Sequence, residues 1–85
     1  MDWILKVDKI VNKQIARIPA LDARRINYII RGFAENPYSG DIEKMHGQQN
    51  VWRRRVGNYR IFYELYPAEK AVNVYHIERR TSKTY

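Results

Sequence analysis

The residues best suited to chemistry in this chain are Arg53, Arg54, Arg55 and Arg60, set on either side of a Gly57-Asn58 pair. Gly-Asn between two runs of alternating apolar residues is a signal for a two-residue β-hairpin turn. That turn would pair Val56 with Tyr59, Arg55 with Arg60, Arg54 with Ile61 and Arg53 with Phe62. Directly paired residues share a face of a sheet, and side chains alternate between faces along each strand. One face then carries Trp52, Val56, Tyr59, Ile61, Tyr63 and Leu65, enough apolar surface to meet a core. The other carries Arg53, Arg55, Arg60 and Phe62. Three guanidinium groups converge beside an aromatic ring, and their planar forks suit a phosphate. Arg55 facing Arg60 is a like-charge pair, a local cost that an anion bound between them would relieve. The competing expectation is a surface ladder neutralised by Glu64 and Glu78. Arg54 falls on the apolar side, with its stem expected at the core margin and its head in water.

The remaining inventory narrows the chemistry. There is no Ser-His-Asp set, no convincing carboxylate pair and no Gly-rich phosphate loop. Cysteine is absent, which removes disulfides and thiolate metal sites. His46 and His76 lie far apart in the chain, so neither a metal nor another cofactor is expected. A hydrolase that activates water would lack an obvious base. RNA cleavage needs less, because the substrate's own 2′-hydroxyl is the nucleophile. The protein must then position the phosphate, stabilise its developing charge and help move two protons. Candidates for proton transfer are Tyr85, His76, Glu78 and one of the arginines, with His76 read as structural before catalytic. Tyr85 could serve as a base only if it folds back onto the basic patch, where nearby cations lower a tyrosine's pKa.

Charge agrees with an anionic partner. The 85-residue chain carries 16 Lys or Arg against 9 Asp or Glu, net +7. Residues 51–85 hold eight basic and three acidic residues, while residues 1–50 hold eight and six. The excess therefore sits in the C-terminal part, and phosphate neutralisation supplies affinity through counterion release. The length suits a single domain over residues 1–85 with one core. No apolar run approaches the roughly 18 to 20 residues that span a bilayer, and the N-terminus lacks a signal-peptide pattern. A cytoplasmic protein without membrane contact is expected.

The elements that must position the arginines can be read from hydrophobic periodicity. Residues 3–7 form a short strand with Trp3, Leu5 and Val7 on one face. Asp8 is placed to N-cap a helix with Val11, Ile15 and Ile18 on one stripe, stopped by Pro19. A second helix has Asp22 in its opening turn and Ile26, Ile29, Ile30 and Phe33 as its stripe, ending by Asn36-Pro37. Residues 38–50 read as a polar loop with Met45 tucked inward. Strands follow over residues 51–56, 59–66 and 71 to about 78, with a turn at residues 67–70. The order β-α-α-β-β-β implies an α+β domain: an N-terminal strand, a two-helix hairpin, then a three-stranded antiparallel meander with both helices on one face.

The run Trp52-Arg53-Arg54-Arg55-Val56-Gly57-Asn58-Tyr59-Arg60-Ile61-Phe62-Tyr63 resembles the central hairpin signature of the RelE/ParE toxin superfamily. That pattern is an aromatic followed by Arg-x-Arg-Val-Gly-(Asp/Asn)-Tyr-Arg and an apolar strand. Upstream, Glu43-Lys44-Met45-His46-Gly47 resembles the family's Lys-Leu-x-Gly segment, and the resemblance extends over essentially the whole chain. It departs at Arg54, where the family usually has Ile or Leu. The resemblance implies a RelE-like toxin of a type II toxin–antitoxin pair, a ribosome-dependent endoribonuclease (an mRNA interferase) that inhibits translation. It places the catalytic basic positions on Arg53, Arg55 and Arg60. A last-strand arginine falls on Arg79, the preferred position, or Arg80, and the terminal base on Tyr85. Phe62 and Lys83 complete the expected RNA-binding set, with no metal. The implied partners are the ribosome, messenger RNA and an acidic RelB-like antitoxin. The toxin alone is expected to be a monomer, and hetero-oligomeric with its antitoxin. Two alternatives stay open: a ParE-like gyrase poison without nuclease activity, and a non-catalytic RNA-binding module.

Overall fold

The computed structural model describes residues 2–80. Its elements are β1 (Ile4–Val7), α1 (Lys9–Ile15), α2 (Ala20–Gly32), β2 (Ile42–Lys44), β3 (Val51–Val56), β4 (Tyr59–Tyr66) and β5 (Ala71–Arg79). A single 3-10 turn over Pro67–Glu69 joins β4 to β5. The five strands form one sheet in the order β1-β5-β4-β3-β2.

The expected α+β class and helical hairpin are present, with two differences in the sheet. The segment read as a polar loop contains β2, which pairs antiparallel with the outer edge of β3. Ile42 is the one apolar residue in Asp41-Ile42-Glu43-Lys44, so no apolar alternation marks the segment, and three residues of pairing are too short to stand out against polar surroundings. The second difference is that β1 runs parallel to β5, Leu5 opposite Val72 and Val7 opposite Val74, so the sheet is mixed. The chain travels through both helices and three strands before returning beside β1, and a crossover of that length permits parallel pairing.

Both helices carry the apolar stripes that periodicity dictates, but α1 ends at Ile15, short of the Ile18-Pro19 stop that the sequence suggests. Asp8 holds the N-cap position of α1 in an extended conformation, but its side chain makes no capping hydrogen bond. Pro19 is the N-cap of α2. The helix ends at Gly32, four residues before the Asn36-Pro37 stop that the sequence suggests. Its stripe still reaches the core, because Ile26, Ile30 and Phe33 are buried together with Val11 of α1. They pack on Ile61, Tyr63 and Leu65 of β4 and on Val72, Val74 and Ile77 of β5. Every second residue of β4 from Tyr59 to Leu65 is buried, while Arg60, Phe62 and Glu64 are half-buried on the opposite side. The helices cover one face of the sheet and leave the other open.

Tyr63 locks this core. Its ring lies 4.4 Å from that of Phe33, and its buried hydroxyl donates to the Pro37 carbonyl at 2.9 Å. Burial pushes the Tyr63 hydroxyl well above the usual tyrosine range. A pKa raised on folding contributes stability that is intact below the unfolded value, about 10, and lost as pH climbs above it. The Tyr63→Phe variant is expected to lose about 1–2 kcal/mol at neutral pH, since the Pro37 carbonyl loses its donor. Urea unfolding followed by circular dichroism should also show a shallower fall in stability above about pH 10 in Tyr63→Phe than in the wild type.

Candidate phosphate and nucleic-acid interface

The β3–β4 register pairs Val56 with Tyr59, Arg55 with Arg60, Arg54 with Ile61 and Arg53 with Phe62, as the Gly57-Asn58 turn requires. Gly57 takes a left-handed φ of 56°, a conformation that suits glycine. The outer strands extend the register into rows across the open face. Arg53 lies between Glu43 of β2 and Phe62 of β4, and Phe62 is in turn paired with His76 of β5. In the neighbouring row Arg55 opposes Arg60, and Arg60 is paired with Glu78. The Arg55 amide donates to the Asp41 carbonyl at 2.9 Å, which sets Asp41 at the far end of that row. The two rows read Glu43-Arg53-Phe62-His76 and Asp41-Arg55-Arg60-Glu78.

Each of the three arginines meets a carboxylate. Arg53 donates to Glu43 Oε1 from Nη2 at 2.6 Å and from Nε at 3.2 Å. Arg60 Nη1 donates to Glu78 Oε2 at 3.0 Å, and Arg55 Nε lies 3.6 Å from Asp41 Oδ2. The hydrogen bond and charge of Arg53 hold the Glu43 carboxyl below its ordinary pKa. The repulsion between Arg55 and Arg60 is thus offset by the acids at both ends of their row. Of the two carboxylates expected to neutralise the ladder, Glu78 does so, whereas Glu64 accepts from Asn73 instead. Asp41 and Glu43 were not foreseen. Their two-residue spacing matches that of Arg53 and Arg55, but that match by itself does not say that the two segments pair.

Asp41, Glu43, Arg53, Arg55 and Arg60 enclose a cavity of about 30 Å³, enough for a water but not for a phosphate. A phosphate can reach all three guanidiniums only by displacing carboxylates. Those pairs are substantially solvent-exposed, and pairs of that kind bind weakly. The acids therefore screen the cluster without sealing it.

The other expected site residues divide. Phe62 stands on the open face beside the arginines. Arg79 does not: it is paired with Tyr59 on the helix side, with its guanidinium 6.0 Å from the Tyr59 ring centre. There it borders a cavity of about 190 Å³ shared with Gln14, Arg17 and Ile18. Arg80 donates its backbone amide to the Asn58 carbonyl, continuing the ladder, so strand alternation returns it to the side of Arg60 and Glu78. Its Nε is buried without a hydrogen-bond partner among the described residues. Lys83 and Tyr85 lie outside the described residues.

Arg54 is half-buried in the row Ile42-Arg54-Ile61, and its head does not simply extend into water. Nη1 donates to the Ser39 carbonyl at 3.2 Å, and the guanidinium lies where a β-carbon on Gly40 would fall. Gly40 has a φ of 88°. Arg54 and Gly40 together hold the segment that presents Asp41 and Glu43. Among the described residues no group of three His, Asp or Glu could hold a metal ion, and no helix is long and apolar enough to cross a membrane.

Screening by the carboxylates has a measurable consequence. The double variant Asp41→Asn, Glu43→Gln keeps the shape of the segment and removes two negative charges. It is expected to bind a labelled oligoribonucleotide a few-fold more tightly than the wild type, with the gain shrinking as salt rises. Fluorescence anisotropy at two ionic strengths checks this, and unchanged or weaker binding would contradict the screening role.

The comparisons with known proteins follow the same lines as the geometry. A family model described as ParE toxin of the type II toxin–antitoxin system parDE matches residues 5–83. Among solved structures, the archaeal RelE–RelB complex of Pyrococcus horikoshii OT3 holds a similar chain, with a TM-score of 0.83 at 23% identity over 98% of this chain and 100% of that one. The RelB–RelE complex of Methanococcus jannaschii gives a TM-score of 0.74 at 26% identity, covering 87% of this chain and 88% of that one. The isolated Escherichia coli RelE toxin gives 0.78 at 14% identity, over 95% and 87%. No curated protein matches the sequence significantly. With its family match covering nearly all the described residues and its sheet and helical hairpin arranged as in the RelE structures, the chain belongs to the ParE toxin family of type II toxin–antitoxin systems, within the RelE/ParE superfamily.

Proposed function

We propose that this toxin is an endoribonuclease of the RelE kind, which cuts messenger RNA on the ribosome and so arrests translation. The observation that carries the reading is the convergence of Arg53, Arg55 and Arg60 on one open face, where displaceable carboxylates occupy them. A gyrase poison of the ParE kind has no evident need of a phosphate-sized cluster of guanidiniums. In the reaction the 2′-hydroxyl attacks the adjacent phosphorus as the bond to the 5′-oxygen breaks, leaving a 2′,3′-cyclic phosphate and a free 5′-hydroxyl. No water and no metal enter this step. Arg55 and Arg60 hold the non-bridging oxygens, and Arg53 adds charge as it accumulates on the phosphorane. Tyr85 takes the proton from the 2′-hydroxyl, and a last-strand arginine stabilises or protonates the leaving oxygen. Arg80 is the proposed residue for that last role, a reading supported by the position of Arg79 on the helix side. Phe62 and Lys83 contact the RNA.

An acidic, RelB-like antitoxin is the proposed protein partner, in keeping with the Pyrococcus horikoshii and Methanococcus jannaschii proteins, which are RelE–RelB complexes. It is expected to wrap the helical hairpin and to cover or distort the arginine face. The second reading, a gyrase poison, is favoured by the ParE description of the family model.

The test is to add the purified protein to a translating extract and map messenger ends by primer extension. Wild type is expected to cut. Arg60→Ala should lower the rate about 100-fold, on the scale of losing one oxyanion contact, and Tyr85→Phe should be similarly impaired. Arg80→Ala is expected to cost more than Arg79→Ala. Full activity in Arg60→Ala and Tyr85→Phe would refute the mechanism. Inhibition of supercoiling by gyrase with no messenger cuts would favour the second reading.

A further inference from the structure

We propose that Phe62, Tyr75 and His76 form a stacking platform for one nucleobase of the single-stranded RNA whose phosphate the arginines hold. The inference rests on the RNA-cleavage reading above and adds to it a base-binding subsite.

Its origin is an irregularity in the sheet. Between β4 and β5 the pairing passes from Phe62 opposite His76 to Tyr63 opposite Val74, leaving Tyr75 without a partner. This is a β-bulge, a device that re-aims side chains and is over-represented beside functional sites. In a regular strand Tyr75 and His76 would point to opposite faces. Here Val74 and Ile77 stay buried in the core, and both rings between them reach the open face. Tyr75 lies 6.4 Å and His76 5.6 Å from the Phe62 ring centre, tilted by 49° and 47°. All three are half-buried, so each keeps ring surface exposed to solvent.

The His76 ring is held in one orientation from behind. Gln14 of α1 accepts the Ile77 amide proton at Oε1, at 2.8 Å, which fixes its amide so that Nε2 faces His76 Nδ1 at 3.1 Å. Gln14 therefore donates to Nδ1, and the neutral ring carries its proton on Nε2. That N–H points to the side of Glu78 Oε1, 3.9 Å away, the carboxylate oxygen that Arg60 does not engage. A donor and an acceptor thus stand side by side at the edge of the rings.

Placement selects the occupant. Phe62 is paired with Arg53 and lies two residues from Arg60 on the same strand face, a spacing of about 7 Å that one nucleotide can bridge. A nucleotide whose phosphate sits on the arginines can lay its base on the rings. Unpaired bases are recognised in this way, by stacking on aromatic side chains beside a basic groove. Positive charge next to exposed ring faces suits RNA better than an apolar protein segment, which would have to bury the guanidiniums along with the rings.

The test uses the full-length protein and a labelled heptamer of uridine RNA, scanned with a single abasic nucleotide at each position. In the wild type, one abasic position is expected to weaken binding about tenfold, the scale of one lost stack. The double variant Phe62→Leu, Tyr75→Leu should bind the intact heptamer as weakly as the wild type binds that abasic one, with no further penalty for the abasic site. Its slope of affinity against salt should be unchanged, because the arginines remain. The wild-type scan does not depend on how the variant folds. Equal affinity for intact and abasic heptamers, with weakened binding in Arg60→Ala, would leave the RNA reading standing and overturn the platform. No binding of the heptamer, together with no messenger cleavage in extract, would overturn both. Unaltered RNA binding in the double variant with lost binding of an acidic antitoxin would assign the rings to the protein partner and overturn the proposal.

Discussion

The open face depends on one register, Val56 against Tyr59 across the Gly57-Asn58 turn. Because side chains alternate with a period of two, a slip of β4 by one residue would turn Arg60 inward, away from Arg53 and Arg55, and expose Ile61, Tyr63 and Leu65. Burial of those three residues of β4 against Phe33, Ile30 and Ile26 makes such a slip untenable. The hydrophobic core therefore holds the arginines in place, although none of the three contributes to it. Tyr63 joins the two roles, since its ring packs on Phe33 while its hydroxyl satisfies the Pro37 carbonyl.

On the open face the dominant physics is charge balance. Two arginines opposed across a hairpin would be costly if nothing else were near. With Asp41 beyond Arg55 and Glu78 beyond Arg60, the row alternates outward from positive to negative and is locally neutral. A neutral row needs no ligand to offset its repulsion, and ion pairs this exposed are weak enough for an anion contacting several guanidiniums at once to compete with them. Arg54 supports the arrangement from the other face by gripping the Ser39-Gly40 segment that delivers the acids. The residue that departs from the superfamily's apolar preference thus ties the hairpin to β2.

The bulge at Tyr75 has a different kind of support. β1 pairs with β5 only as far as Val74, so the amides of β5 beyond that point need other partners. Gln14 provides one for Ile77 and orients His76 at the same time. Helix α1 thus closes the edge that β1 leaves uncovered. His76, expected to be structural, is held as a packed residue would be on one ring nitrogen and faces the open side with the other.

Much of the hairpin was determined by the sequence alone. A Gly-Asn turn between alternating strands leaves one register that buries the apolar set, and so one face for Arg53, Arg55, Arg60 and Phe62. The helical stripes were likewise legible, because a period of 3.6 residues in 26, 29, 30 and 33 has few other readings. Periodicity is a property of neighbours along the chain, however, and the remaining features depend on contacts between distant segments. Nothing local to residues 41–44 says that they pair with residues 52–54, and the parallel return of β5 beside β1 spans most of the chain. Whether Arg79 or Arg80 joins the arginine face depends on the bulge at Tyr75, which shifts the parity of every later residue in β5. Tertiary pairing made those decisions: the positions of the carboxylates, the facing of Arg79, and the meeting of Gln14 with His76.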